Sequence, residues 1–244
     1  MKPFPRRVEP EWLDELPADD PRAQHARYDL RKLNVIMGHA SGMAARFRQH
    51  WPSGVVGSAA RNPPRIVELG SGDGALMLRI AEKMALSLGP ADIHLIDRQG
   101  VTSASTIDQL NVRGWHAKSV KADVFDWLSD SANYADIIFC NLFLHHFEPD
   151  ALSRMLFLIR QRTRTFIAFE PRRTRFASAS CRFLRVIGCN DVTRHDALIS
   201  VAAGFGGREI SGLWPSENGW RVEEQASHLF SHVFLATKDR IDDR

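Results

Sequence analysis

Glu68, Gly70, Ser71, Gly72 and Asp73 stand together in the stretch ELGSGDG. Glycines at this density allow a tight turn and close approach of a ligand to the main chain. A turn of this kind that opens a helix commonly cradles a phosphate on its backbone N–H groups. This turn carries two carboxylates, Glu68 and Asp73, and no Lys or Arg. A pyrophosphate there would meet like charge at short range, whereas a ligand with a positive centre and no phosphate would be attracted. Asp97 ends the run IHLID, and Asp123 follows in VKADVFDW, with Asp126 as a nearby competitor. In CNLFLHHF, Asn141 offers an amide, and His145 and His146 offer imidazoles. Imidazole titrates near neutral pH and suits general-base work on a phenol or enol. Arg172 and Arg173 follow in EPRR. Guanidinium groups there suit a carboxylate or phosphate on an acceptor or a carrier protein, or simply a solvated face.

The elements that must position these residues alternate. Short apolar runs predict strands at about 65–69, 93–97, 115–120, 135–140 and 165–170, with helices over about 73–87, 101–113 and 150–162. Such alternation indicates a parallel sheet covered on both faces. WRVEEQAS and HLFSHVFLATK, close in sequence, predict a closing antiparallel hairpin. The fold expected is therefore α/β: a seven-stranded, mostly parallel, doubly wound sheet with a C-terminal antiparallel hairpin.

Residues 1–20 read as an extended arm. Asp20 and Pro21 then open a helix that Gly38 breaks, a second helix follows over about 41–51, and SGVVGSAARNPP reads as a loop. After Glu170 the rhythm breaks, and residues 171–219 read as an insertion with one or two helices. Thr193 and Asp196 suggest a capping box for a helix through Ala203. Phe176, Phe183, Phe205 and Trp214 give the insertion apolar content, for an aromatic or lipid-like acceptor or for burial on the sheet. His195, His228 and His232 are weaker candidates, and His232 reads as a core residue of a strand. The division expected is an N-terminal arm and helices over 1–60, covering the substrate side, and a domain over 61–244.

S-adenosylmethionine is a ligand of the kind the acidic turn favours, because its ammonium and sulfonium gain from nearby carboxylates. ELGSGDG resembles the E-x-G-x-G-x-G motif of class I S-adenosylmethionine-dependent methyltransferases, and Asp97, Asp123 and the NLFLHHF loop fall in order behind it. The resemblance spans roughly 60–170. It implies a carboxylate at Asp97 for the ribose hydroxyls, Asp123 near the adenine amino group, and the loop after the fourth expected strand beside the methionine portion. The cofactor-binding set it implies is Glu68, Gly70, Ser71, Gly72, Asp97, Arg98, Asp123, Val124 and Asn141. The family's metal-dependent branch carries an Asp…Asp–Asn ligand set, for which only Asn141 has a counterpart, so a metal-independent reaction is expected. The expected acceptor is a small aromatic, polyketide-like or lipid-like molecule, methylated on O or C. RNA or protein methylation and a non-catalytic cofactor-binding module are the alternatives.

Composition sets the outer bounds. The chain has 244 residues and a net charge of +3, too small to argue for nucleic acid by itself. No RNA-binding module accompanies the domain. Three cysteines, Cys140, Cys181 and Cys189, with no CxxC spacing, disfavour a disulfide framework or zinc site. A reduced, cytoplasmic setting is expected, and the basic N-terminus lacks the apolar stretch of a signal peptide. No apolar stretch is long enough to span a bilayer.

Overall fold

A computed structural model describes residues 4–52, 63–84, 89–215 and 219–239. The expected loop SGVVGSAARNPP and the boundary at 60/61 lie almost wholly outside the described residues. The chain opens with an arm that contains a short helix, α1 (Trp12–Glu15), where only extended chain was expected. Next comes α2 (Pro21–Ile36), which begins as the sequence suggests: Asp20 accepts from the Arg22 N–H at 2.7 Å, and Pro21 takes the first helical position. Gly38, at φ 70°, separates it from α3 (His39–His50).

The alternating core then follows as β1 (Arg65–Leu69), α4 (Ala75–Met84), β2 (Ala91–Asp97), α5 (Ala104–Val112), β3 (Trp115–Lys121), α6 (Val124–Ser129), β4 (Ala135–Asn141), α7 (Pro149–Arg162) and β5 (Thr163–Pro171). The insertion holds α8 (Arg175–Ser180), a 3-10 turn over Cys181–Arg185, α9 (Asp191–Ala203) and α10 (Glu209–Leu213), more helix than expected. The hairpin β6 (Trp220–Ser227) and β7 (Ser231–Lys238) closes the chain.

Seven strands form one sheet in the order β3-β2-β1-β4-β5-β7-β6. The first five are parallel, with Ile66 opposite both Ile93 and Ile137. β7 runs antiparallel between β5 and β6, with Phe169 opposite Val233. Central strands are apolar on both sides because helices cover both faces. Phe47, Met77 and Ile80 pack one face under α3 and α4, and Trp127, Met155 and Leu156 pack the other under α6 and α7. Each fully buried side chain of this kind stabilises the fold by about 1.5–3 kcal/mol. β3 is an edge strand, and its exposed Lys118 and Lys121 discourage further pairing.

Two expectations about the insertion change. The cap of α9 is Asn190, whose side chain accepts from the Thr193 N–H at 2.8 Å. The Thr193 hydroxyl instead donates to Asp29, and Asp196 accepts from the N–H groups of Trp12 and Leu13, so it caps α1 from a distance. Phe205 and Trp214 are core residues, whereas Phe176 and Phe183 are exposed.

Candidate functional site

The direction of strand addition reverses between β1 and β4, and crevices outside the carboxyl ends of strands at such a point take ligands. A cleft of about 410 Å³ opens there, within the usual range for small-molecule sites. Glu68, Gly70, Ser71, Gly72, Asp97, Arg98, Asp123, Val124, Asn141, His145 and His146 all line it.

The glycine turn is built by contacts. Gly70 has φ 67°, and a Cβ there would lie 2.3 Å from the Phe143 ring, so no other residue fits. Gly72 has φ 53° and faces open space. Its N–H donates to Asp97 Oδ2 at 2.9 Å, while Asp97 Oδ1 accepts from the Gln99 N–H at 2.7 Å. Asp97 thereby fixes the turn after β1 to the turn after β2 and keeps lone pairs for a ligand. Asp123 caps α6 through the Phe125 N–H at 2.8 Å and still borders the cleft.

Three buried polar atoms on the cleft wall have no hydrogen-bond partner: Glu68 Oε2, Ser71 Oγ and Asn141 Oδ1. Native interiors leave few such atoms, and all three belong to residues that line one cleft. Burial, followed by the charges of Asp73 and Asp97, pushes the Glu68 carboxyl well above the ordinary carboxylate range. A cationic, donor-rich ligand in that cleft suits acceptors of this kind. The residues present therefore fit S-adenosylmethionine.

The acidity of the turn is distributed differently from the sequence expectation. Asp73 is paired with Arg31 at 2.8 Å and accepts from the Ala75 N–H. Even so, six acidic side chains line the cleft (Glu11, Asp14, Glu68, Asp73, Asp97, Asp123) against three arginines (Arg27, Arg31, Arg98) and His145.

The two histidines differ. His145 is buried between two carboxylates, with Nδ1 2.9 Å from Glu170 and Nε2 3.2 Å from Glu11. Burial alone would lower its pKa, but the hydrogen bonds to Glu11 and Glu170 raise it to about 9. Against its own burial, Glu11 falls to about 2 through the His145 hydrogen bond and the neighbouring imidazoles. Glu170 also accepts from the N–H groups of Phe143 and Leu144 and so holds the whole β4-exit loop. His146 lies nearer the open cleft, with Nδ1 3.4 Å from Asp14. Burial, then the positive charge of His145, lowers its pKa below the ordinary imidazole value. These opposite shifts favour the protonated form of His145 and the neutral form of His146 at neutral pH.

Sequence reasoning missed Glu11, Asp14, Arg31, Asn34 and Ser200, all on the cleft wall. A signal existed for α2, where Arg27, Arg31 and Asn34 share one polar helical face. Glu11 and Asp14 had none, since the arm is placed by remote contacts. Arg6 donates to the carbonyls of Ala203, His145 and Phe147, and Arg173 donates to that of Phe4.

Arg172 and Arg173 do not line the cleft. Arg173 is buried and forked onto Glu209, with Nη1 also donating to the Gly204 carbonyl and Nε to that of Phe4, so four of its five N–H donors are taken and its charge is already paired. Arg172 reaches the His228 carbonyl at 3.4 Å. His195 stacks on Trp12 with centroids 3.7 Å apart, and His232 pairs with Glu224 at 2.7 Å, a core role as expected. His228 is an exposed turn residue with φ 58°.

Residues 66–165 match the family model described as a methyltransferase domain. No curated protein gives a sequence match. Among solved structures, the plantazolicin methyltransferase BpumL, bound to SAH and a monoazolic desmethylPZN analog, superposes with TM-score 0.60 at 15% identity. It covers 91% of this chain and 91% of its own. An O-methyltransferase family protein from Burkholderia thailandensis gives 0.55 at 12% identity over 92% and 62% of the chains. Mitomycin 7-O-methyltransferase MmcR gives 0.54 at 16% over 93% and 60%. At these identities the likeness is one of fold. Among the described residues, no helix is long and apolar enough to cross a membrane.

Proposed function

We propose that the protein, whose residues 66–165 match a methyltransferase-domain model, is a class I S-adenosylmethionine-dependent methyltransferase that methylates an oxygen or carbon of a small aromatic, polyketide-like or lipid-like acceptor without a metal ion. Bound S-adenosylmethionine supplies a methyl group already activated by its sulfonium. What the chain must add is alignment of the acceptor and removal of its proton. The observation that carries the reading is His146, a neutral imidazole in the cleft that holds the cofactor-binding turn, with Asp14 at 3.4 Å. His146 accepts the proton of a phenol or enol, and Asp14 orients the ring and stabilises the imidazolium that results. His145 does not serve as the base, because both of its nitrogens already meet carboxylates. It is a positioning residue that anchors the loop carrying His146.

Glu68, Ser71 and Asn141 take the cofactor's donors, Gly70 and Gly72 admit it to the backbone, and Asp97 takes its ribose hydroxyls. Asp123, Val124 and Arg98 border the adenosine end. The arm and α1–α3 cover the acceptor side. The fold shared with an O-methyltransferase family protein and with mitomycin 7-O-methyltransferase supports oxygen as the acceptor atom and a small molecule as the acceptor. The deciding experiment is a labelled-methyl transfer screen against cell extract divided into small-molecule, protein and RNA fractions. Label is expected in the small-molecule fraction. Label confined to protein or RNA would overturn the acceptor class, and no transfer despite cofactor binding would favour a non-catalytic module.

A further inference from the structure

Residues 172–188 leave β5 at the carboxyl end of the sheet, the end that holds the cleft. Two stripes run along this segment. Phe176, Phe183 and Val186 are spaced by seven and then three residues, and Arg175, Arg182 and Arg185 repeat that spacing one residue earlier. Through α8 and the 3-10 turn, such spacing keeps each set on one side. Both stripes face outward. Phe176 is 56% exposed, Phe183 69%, Val186 81% and the adjoining Ile187 46%. Arg175, Arg182 and Arg185 are exposed with them. Phe176 stacks on Phe230 with centroids 5.8 Å apart, which joins the β6–β7 turn and its exposed Leu229 to the same patch. Arg172 reaches that turn through the His228 carbonyl.

Single exposed apolar side chains are ordinary, but a contiguous group of large ones marks a binding surface. Its charge indicates what binds. No Asp or Glu occurs between Pro171 and Asn190. Among the described residues, Arg175, Arg182 and Arg185 make no ion pair. Apolar side chains beside unneutralised cations complement the surface of an anionic bilayer. The rings and branched chains enter the boundary between headgroups and acyl chains, and the guanidinium groups meet lipid phosphates.

We propose that the face formed by Phe176, Phe183, Val186 and Ile187, with Arg172, Arg175, Arg182 and Arg185, docks the protein on an anionic lipid surface. This orientation brings the carboxyl end of the sheet, and the cleft with it, to the side from which a lipid-soluble acceptor arrives. Docking itself does not depend on the methyl-transfer reading, because its readout is partition rather than turnover.

The test is co-sedimentation with phosphatidylcholine vesicles, with and without phosphatidylglycerol. The wild type is expected to sediment with the anionic vesicles only, and less as salt rises. Arg182→Glu with Arg185→Glu is expected to weaken partition by about tenfold or more. Phe183→Ser with Val186→Ser should lower it comparably. None of these residues lines the cleft, so both variants should keep wild-type cofactor affinity by calorimetry and wild-type melting. A wild type that stays in the supernatant with anionic vesicles overturns the proposal and points to an acidic protein partner, such as a carrier protein. Well-folded variants that sediment like the wild type also overturn it.

Discussion

At the scale of the residue, the neighbouring His145 and His146 sit in surroundings that shift their pKa values in opposite directions. His146→Ala should lower kcat by roughly 10²–10⁴-fold while calorimetric cofactor affinity stays unchanged. Its depressed pKa sets the sign of the pH profile: a base must be unprotonated, so the acid limb of kcat should lie below pH 6.5. A limb centred above neutrality would remove His146 from the role. His145 acts on stability. Its pKa rises from 6.5 to about 9 on folding, so its stabilisation is complete below about pH 6.5 and is lost as pH rises through about 9. That shift corresponds to roughly 3 kcal/mol. Melting temperature should therefore fall over that window, and less so in His145→Asn. Glu68 links protonation to ligand binding. Burial and the charges of Asp73 and Asp97 favour its protonated form in the free cleft, so a cationic cofactor should favour release of a proton. Calorimetry in buffers of differing ionisation enthalpy should detect that release in the wild type and not in Glu68→Gln. Glu68, Asp97 and the histidines were legible in the sequence because strand ends and the turns after them are local features. The split between the histidines was not, since it depends on Glu11 and Glu170, 134 and 25 residues from His145.

At the scale of the element, the strands and helices of the core were legible to within a few residues, because buried strands and amphipathic helices write their periods locally. The arm was not. Residues 4–16 have too little apolar content to order themselves, and they are held by polar contacts to distant parts. Trp12 stacks on His195, Asp196 accepts from the N–H groups of Trp12 and Leu13, and Arg6 bridges three carbonyls. The misread capping box has the same cause: the sequence offers Asp196 to its own helix, but α1 takes it. This makes α1 sensitive to α9. Asp196→Ala should cost about 0.5–2 kcal/mol, as loss of a helix cap does. It should also lower kcat, because α1 carries Asp14 to His146, while cofactor affinity holds. Unchanged kcat in a variant whose arm is cleaved faster by protease would show that Asp14 does not orient the base.

At the scale of the whole molecule, four separate parts converge on His145: the loop after β4, the end of β5, the N-terminal arm and α9, through Glu170, Glu11 and Ser200. The sheet order makes this convergence possible, since it sets the carboxyl ends of β4 and β5 side by side. The same convergence gathers, among the described residues, a set able by type to hold a metal: Glu11, His145 and His146, with ligand atoms within 4.8 Å of one another. Two carboxylates already face the two ring nitrogens of His145, and a proton on that ring balances them. A divalent cation would have to displace a proton whose pKa is raised to about 9, and the buried Glu11 would lose its present partner. Binding under neutral conditions is opposed on both counts. Dialysis against a strong chelator should therefore leave turnover within about twofold and the melting temperature unchanged. Loss of turnover that a divalent cation restores would mean that the ring carries a metal in place of the proton, and the metal-independent reading would fall.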